Sequence, residues 1–365
     1  MVERRIAGKR KEKIKKPNKL GTYLRAAALG TALVATPIVM GACGKKTDMA
    51  EVSIEKAKKT KVKEVKEKPK EEAKEEKKEP PKEEEKTQEE LNQMLLKAVK
   101  GNKNGEVEKL IEEGASIDIE DEKGNGLLWI AVNSRNNDLV KKLLENGADA
   151  SVKDPYGRTL LIEAVIKDNI KLAEMISDAG VDVDEKGPDG ENALMKAIAK
   201  GNESMVKLLM ESNADINAKD DFGETCIWKA WYIKNKNSNI LKIFIENGAD
   251  MDVKSASVKG VVGGRKVVRE GGLVLLSEVI KAELTGIVEL MIENGADVNA
   301  TDSAGVTPIM WSVYKEQKDT TEILLGTEEI DLTIKDDKGE TVLMKAKRYK
   351  NNEMVELIEN YGAVE

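Results

Sequence analysis

The sequence predicts an all-α fold for its C-terminal three quarters: a solenoid of about eight helix-turn-helix units joined by short β-turns. Three observations predict it. Glycines recur 33 residues apart at Gly124, Gly157, Gly190 and Gly223, and again at Gly272 and Gly305, with Gly339 following. Each is followed at fixed offsets by the same kinds of residue. A second apolar segment then ends three times in Asn-Gly-Ala-Asp, at 146–149, 247–250 and 294–297. Self-similarity at a fixed period marks a stack in which each unit buries a modest apolar strip against its neighbour.

The offsets define the first helix of each unit. Two residues after the glycine stands Thr159, Thr225, Thr307 or Thr341. Two further on comes an aliphatic: Leu128, Leu161, Leu194, Ile227, Leu276, Ile309 or Leu343. Three further on sits a small or β-branched residue: Ala131, Ala164, Ala197, Ala230, Val279, Ser312 or Ala346. The second helix is apolar at 3.6-residue spacing, as in Leu139-Val140-x-x-Leu143-Leu144. Its end needs a left-handed residue, which Gly supplies at 114, 147, 180, 248, 295 and 362 and Asn213 supplies once. Glu329 occupies that place in one unit, so that turn must close differently.

On these residues the chain resembles the ankyrin-repeat family. The marks are Gly305-Val306-Thr307-Pro308-Ile309, second helices of the Val206-Lys207-Leu208-Leu209 type, and Asn294-Gly295-Ala296-Asp297-Val298-Asn299-Ala300. The resemblance divides the chain into units at about 91–123, 124–156, 157–189, 190–222, 223–271, 272–304, 305–338 and 339–365. The first keeps Leu95-Leu96-Lys97-Ala98-Val99 without the opening glycine, and the last stops after its second helix; both read as capping repeats. The family's Thr-Pro-Leu-His opening is intact nowhere. Its His slot holds Trp129, Ile162, Met195, Trp228, Ser277, Met310 and Met344. That His ties neighbouring turns in the family, and apolar packing is expected to replace it here. Trp129 and Trp228 are expected in the core, and Cys226, in the Pro slot, as a buried free thiol.

The fifth unit is irregular. From Gly223 to Gly272 is 49 residues, so 16 are extra, about two between its helices and about fourteen after Val253. Within this insertion, 255–271, two β-branched runs flank Gly263-Gly264, which is a hairpin signal. It carries Lys259, Arg265, Lys266 and Arg269 against Glu270, which suits an acidic partner or an anionic lipid surface; a loop that merely covers a core edge is the alternative. Its Gly-Gly-Arg-Lys lacks the Ser/Thr and the glycine spacing of a phosphate loop.

Composition narrows the chemistry. There is no His, which removes the commonest general base, the Ser-His and Cys-His nucleophile systems and most zinc sites. An enzyme grown from the insertion or the concave face would need a carboxylate or Lys acting alone, so no catalytic residue, cofactor or small-molecule substrate is expected. Asp182-Val183-Asp184 and Asp215-Ile216-Asn217 fail as calcium loops at most ligand positions and read as turn residues, so no metal is expected. Of the net charge of -7, residues 1–25 carry +8 and 45–90 are balanced, which leaves -15 for the rest and argues against nucleic acid. Cys43 and Cys226 are the only cysteines, in flanks too different for a disulfide.

Residues 1–42 read as a secretory signal: a basic stretch to Arg25, the apolar run Ala26–Met40, then Gly41-Ala42-Cys43. The run is 15 residues, short of a bilayer span. Met40-Gly41-Ala42-Cys43 resembles a bacterial lipobox, which implies acylation at Cys43; a plain signal peptide or uncleaved anchor is the alternative. Residues 43–90 are Lys/Glu-rich with Pro69, Pro80 and Pro81 and lack apolar periodicity, as a disordered tether would. Together these place the array at the cell envelope, lipid-anchored and facing the periplasm or exterior.

The ankyrin resemblance implies a protein partner docked on the turn tips and the exposed side of the first helices. By position that puts Tyr156, Phe222, Trp231, Tyr232, Tyr314 and Tyr349 near the face, with Arg265 and Lys266 on the insertion. Aromatics and Arg are common interface anchors. Trp231 and Tyr232 could instead fill space left by the irregular fifth unit. A dedicated inhibitor or immunity-type protein that uses the insertion is a variant of the same reading.

Overall fold

A computed structural model describes residues 86–364, apart from 234–237 and 263–264, and the backbone alone for 258–269. The signal segment, Cys43 and nearly all of the tether lie outside the described residues. So does the apolar run, and no described helix is long and apolar enough to cross a membrane.

Among the described residues, sixteen helices pair into eight helical hairpins. The first helices are α1 (Gln88–Lys100), α3 (Leu127–Asn133), α5 (Leu160–Ile166), α7 (Ala193–Lys200), α9 (Cys226–Trp231), α11 (Leu275–Lys281), α13 (Pro308–Tyr314) and α15 (Val342–Arg348). The second helices are α2 (Asn104–Glu112), α4 (Asn137–Glu145), α6 (Ile170–Asp178), α8 (Glu203–Glu211), α10 (Ser238–Glu246), α12 (Thr285–Glu293), α14 (Lys318–Leu325) and α16 (Asn352–Asn360). A two-stranded antiparallel sheet, β1 (Val258–Val262) and β2 (Arg265–Arg269), stands between α10 and α11.

Local chemistry fixes the helix ends. α1 starts two residues before the limit placed at 90, because Thr87 and Glu90 form a reciprocal capping box. Thr159, Asn192 and Thr341 accept from the backbone N–H three residues on and cap α5, α7 and α15. Asn136, Asn169, Asn202 and Asn351 cap four second helices in the same way, at 3.0–3.1 Å. The closing residues adopt the expected left-handed conformation, from Gly114 at φ 95° to Asn213 at φ 66°. α14 does close differently: Thr327 donates its N–H and its hydroxyl to the Leu324 carbonyl, at 3.1 and 2.7 Å.

Each first helix packs on its own second helix, and the core runs unbroken through the stack. Trp129, Trp228 and Phe244 are its largest fully buried side chains, as the two tryptophans were expected to be. Cys226 is a buried free thiol, and burial pushes its pKa up to about 12, far from a reactive thiolate.

Apolar packing does not fully replace the family's His. The Trp129 indole donates to the Val152 carbonyl at 3.2 Å, and the Trp228 indole donates to Val253 at 2.7 Å. Both bonds tie a first helix to the next turn, so in two units the tie survives with an indole donor. Met195 and Met310, which have no donor, are simply buried.

The insertion enters at one point. In a regular turn Asp154 donates its N–H to the Arg158 carbonyl, and Gly157 donates to Asp154. Ser255 makes the same pair with Leu273 and Gly272, at 3.1 and 2.9 Å. Two residues separate Asp154 from Gly157, whereas 256–271 separate Ser255 from Gly272. The hairpin therefore grows from a turn tip whose base is intact, and Ser255 belongs to the base. The register pairs Val262 with Arg265, the residues on either side of the Gly263-Gly264 hairpin signal, which itself lies outside the described residues. The row of first helices is packed closely except between α9 and α11, while α10 and α12 stay packed across that boundary.

Candidate partner-binding face

The β-turns are built on one carboxylate. Asp121, Asp154, Asp220, Asp302 and Asp336 each use Oδ1 to accept two turn N–H groups, at 2.8–3.0 Å. Their Oδ2 remains available to a neighbouring donor, and the fourth residue of the following first helix often supplies it.

That fourth residue forms a column along the first-helix face: Ile130, Glu163, Lys196, Lys229, Glu278, Trp311 and Lys345. Its middle is a chain of ion pairs. Glu163 binds Arg158 at 3.0 Å and Lys167 at 3.1 Å. Glu191 bridges two units, 2.6 Å from Lys196 and 2.5 Å from Lys229. Lys229 also lies 2.8 Å from Asp220. Burial works against the charge on Lys229, but hydrogen bonds to Asp220 and Glu191 outweigh it and raise its pKa. At the far end Lys345 is buried against Asp336. Burial alone would raise the Asp336 pKa, yet the Lys345 ammonium and the turn N–H groups hold it below the usual range.

In the seventh unit the same position is Trp311. Its indole donates to Asp302 Oδ2 at 3.1 Å, so a neutral ring fills the place of a cation. The Lys281 ammonium lies 3.7 Å from the Trp311 ring centre, and Glu278 holds that Lys at 2.8 Å. Trp311 meets Tyr314 edge-on at 5.7 Å, and Tyr314 meets Tyr349 at 5.5 Å. The Arg348 guanidinium lies 5.0 Å from the Tyr349 ring. Lys281, Trp311, Tyr314, Tyr349 and Arg348 thus form one aromatic-cationic strip across the last three units. Tyr314 is its most open member, at 54% exposure, and Tyr349 is half-buried.

The other expected contact residues fall in separate places. Tyr156 and Phe222 occupy the same position in two turn tips and are 76% and 40% exposed. The Arg158 guanidinium sits 6.0 Å from both the Tyr156 and Trp129 rings. Trp231 and Tyr232 are half-buried and pack on the core beside the loosened α9–α11 boundary, and Tyr232 stacks on Trp228 at 5.6 Å. That fits the space-filling alternative better than an open anchor. Arg265 and Lys266 lie in β2, paired with Val262 and Val261. Trp311, Lys281 and Arg348 were not singled out in the sequence. The signal for Trp311 was its place in the fourth-residue column, where its neighbours are charged.

The acidic loops are structural. Asp182, Asp215, Asp250, Asp297 and Asp331 each accept the N–H two residues on, at 2.8–3.0 Å. Asp184, Asn217, Asp252 and Asn299 accept from the next unit's Asp N–H, at 2.8–3.1 Å. These side chains form a ladder that joins successive units, and their oxygens serve the backbone.

Over residues 95–187, 174–255 and 276–364 the sequence matches the family described as ankyrin repeats (3 copies), which takes in more than half of the chain. The match stops and resumes on either side of the β1–β2 hairpin. No curated protein matches the chain. With its periodic helix pairs, glycine closures and turn carboxylates, the chain belongs to the ankyrin-repeat family, whose repeats are protein-interaction modules.

Proposed function

We propose that this chain binds a protein partner through the first-helix face and turn tips of its array, with the strip around Tyr314 as the principal anchor, while acylated Cys43 holds it at the cell envelope. The observation that carries the docking site is the strip itself. Aromatic residues make up only 3% of the chain, yet three of them join across two successive units beside two cations. Interfaces draw most of their binding energy from such Trp, Tyr and Arg clusters. The neighbouring ion-paired column offers polar groups that are already satisfied and gain little from a new partner.

The anchor rests on the order of basic stretch, short apolar run and Met40-Gly41-Ala42-Cys43. Two or more acyl chains give stable attachment where one is marginal, and the charged segment after Cys43 gives the array reach from the surface. The chain then acts by recruiting or masking its partner and not by catalysis.

Two measurements test the halves separately. Cells fed an alkynyl palmitate should label the full chain, and Cys43→Ala should abolish the label; a retained label removes the anchor. Affinity capture from membranes should recover a partner with the full chain and lose it with Tyr314→Ala and Tyr349→Ala combined. Recovery undiminished by that pair removes the strip as the docking site.

A further inference from the structure

The β1–β2 hairpin lies in the gap between two stretches of the family match, 174–255 and 276–364. Its base is held tightly. Besides the Ser255 bonds, Gly271 donates to Ser257 Oγ at 3.0 Å, and Leu273 donates to Ser255 Oγ at 3.1 Å. A Cβ on Gly271 would come within 2.6 Å of the Ser257 nitrogen, so the two chains approach too closely there for any other residue. A short hairpin is marginal alone in water, and this one is fixed at its root to a large core.

Among the described residues the sheet has two strands, and each pairs on one side only. Along the other side, alternate residues of β1 and β2 direct N–H and C=O groups away from the pair. Such an edge is a template for another strand. The strands contain Lys259, Arg265, Lys266 and Arg269 and no acidic residue, on a chain of net charge -7. Four like charges per copy disfavour pairing of two copies edge to edge, and they favour a strand of opposite charge.

We propose that the hairpin is a strand-addition site for an extended, acidic segment of a protein partner, which adds to an open edge of β1 or β2 as a third strand. Backbone hydrogen bonds give the attachment, and the four cations select the sequence. The proposal rests on the chain being an interaction module and adds a second contact of defined chemistry to it.

The test uses the full chain and a trimmed variant in which 256–271 are replaced by Pro-Tyr, the pair (Pro155-Tyr156) that spans the same turn at the end of the second unit. Circular dichroism and melting should show the trimmed array folded, because the Ser255 and Gly272 base is kept. The probe is a labelled peptide of alternating Val and Glu; the control, of equal charge, alternates Pro and Glu and cannot form a ladder. We expect the Val-Glu peptide to bind the full chain at least about tenfold more tightly than it binds the trimmed variant or than the Pro-Glu peptide binds the full chain. Binding should also slow amide hydrogen exchange within 258–269. Equal binding of both peptides, or binding without added protection, would show charge attraction alone and overturn the proposal. So would protection by anionic phosphatidylglycerol vesicles but not by peptide, which would make the hairpin a lipid contact. Concentration-dependent dimerisation lost on trimming, without peptide binding, would make it a self-association site and also overturn the proposal. If the Tyr314 and Tyr349 variants lose the captured partner while peptide binding is unchanged, the strip and the hairpin are independent contacts. Failure of the peptide leaves the strip untouched.

Discussion

In the units of α5, α7 and α9 the fourth residue of the first helix is Glu163, Lys196 or Lys229, and each is held in ion pairs with turn or neighbouring charges. In the unit of α13 the same position is Trp311, bonded through a neutral indole to the same kind of turn carboxylate. The position three residues later is Ile166 and Ala199 after Glu163 and Lys196, Tyr232 after Lys229, Tyr314 after Trp311 and Arg348 after Lys345; of the two tyrosines, Tyr232 packs on the core and Tyr314 is open. The turn carboxylate needs a donor, and nothing requires that donor to be charged. Where an ion supplies it, the face is closed by its own pairing. Where an indole supplies it, the ring opens a place for further rings and for Lys281 to gather.

The largest expected effect breaks a charged member of the column. Lys345→Met leaves the Asp336 carboxylate buried without its ammonium and should destabilise the last unit by about 3 kcal/mol in urea unfolding near neutral pH. The sign with pH follows from the depressed Asp336 pKa. The native pair contributes fully above the unfolded carboxylate pKa and is lost as pH falls through the folded value, so the gap between variant and native should shrink in acid. A pH-independent gap would mean that packing of the Lys stem, not its charge, holds the unit.

Next comes the neutral counterpart. Trp311→Phe keeps a ring beside Lys281 and Tyr314 but removes the donor to Asp302, and should cost about 1 kcal/mol. A cost as large as that of Lys345→Met would erase the distinction between a charged and a neutral donor to the turn carboxylate.

Smaller still are the ladder substitutions. Burial raises the Asp184 pKa, and the charges of Asp215 and Asp182 add to it, although the Asp215 N–H opposes them. Asp252 is raised in the same way, by burial first and then by Asp297 and Asp250. A raised folded pKa means that the folded chain binds the proton more tightly. The contribution of these two groups to stability is then fullest in acid, below the unfolded carboxylate pKa, and falls as pH rises through the folded value. Asn217 and Asn299 fill equivalent ladder places with a neutral amide. Asp184→Asn and Asp252→Asn should therefore each raise stability near pH 7 by about 0.5 kcal/mol and give no gain in acid. A loss near pH 7 would show that the ladder needs the carboxylate. Cys226, buried with its thiol pKa near 12, should react with maleimide only as fast as the array opens.

Much of this array was legible in sequence because its determinants are local and recur. The 33-residue glycine period, the left-handed closures and Gly263-Gly264 each state a backbone requirement within a few residues, and the helices and hairpin stand where those requirements put them. The strip was only half legible. Tyr314 and Tyr349 follow from their place in the repeat, but the Lys281–Trp311 contact depends on how a long side chain turns across a unit boundary, and the Arg348–Tyr349 contact on how two neighbouring side chains turn toward each other. The indole ties of Trp129 and Trp228 were hidden for a similar reason. Residue type showed bulk for the core, while their acceptors, Val152 and Val253, lie 23 and 25 residues away. Trp231 and Tyr232 moved from candidate anchors to packing because the loosened α9–α11 boundary is a property of the stack.

The central claim is that the later end of the first-helix face, and not the earlier end, receives the partner. Ile166 and Tyr314 occupy the same helical position in the two regions, and both are open, at 43% and 54% exposure. A photo-crosslinking amino acid placed at each position in turn, in the full chain in cells, compares them directly. The account predicts a protein adduct from position 314 and none from 166. An adduct from 166 alone, or equal adducts from both, would contradict it.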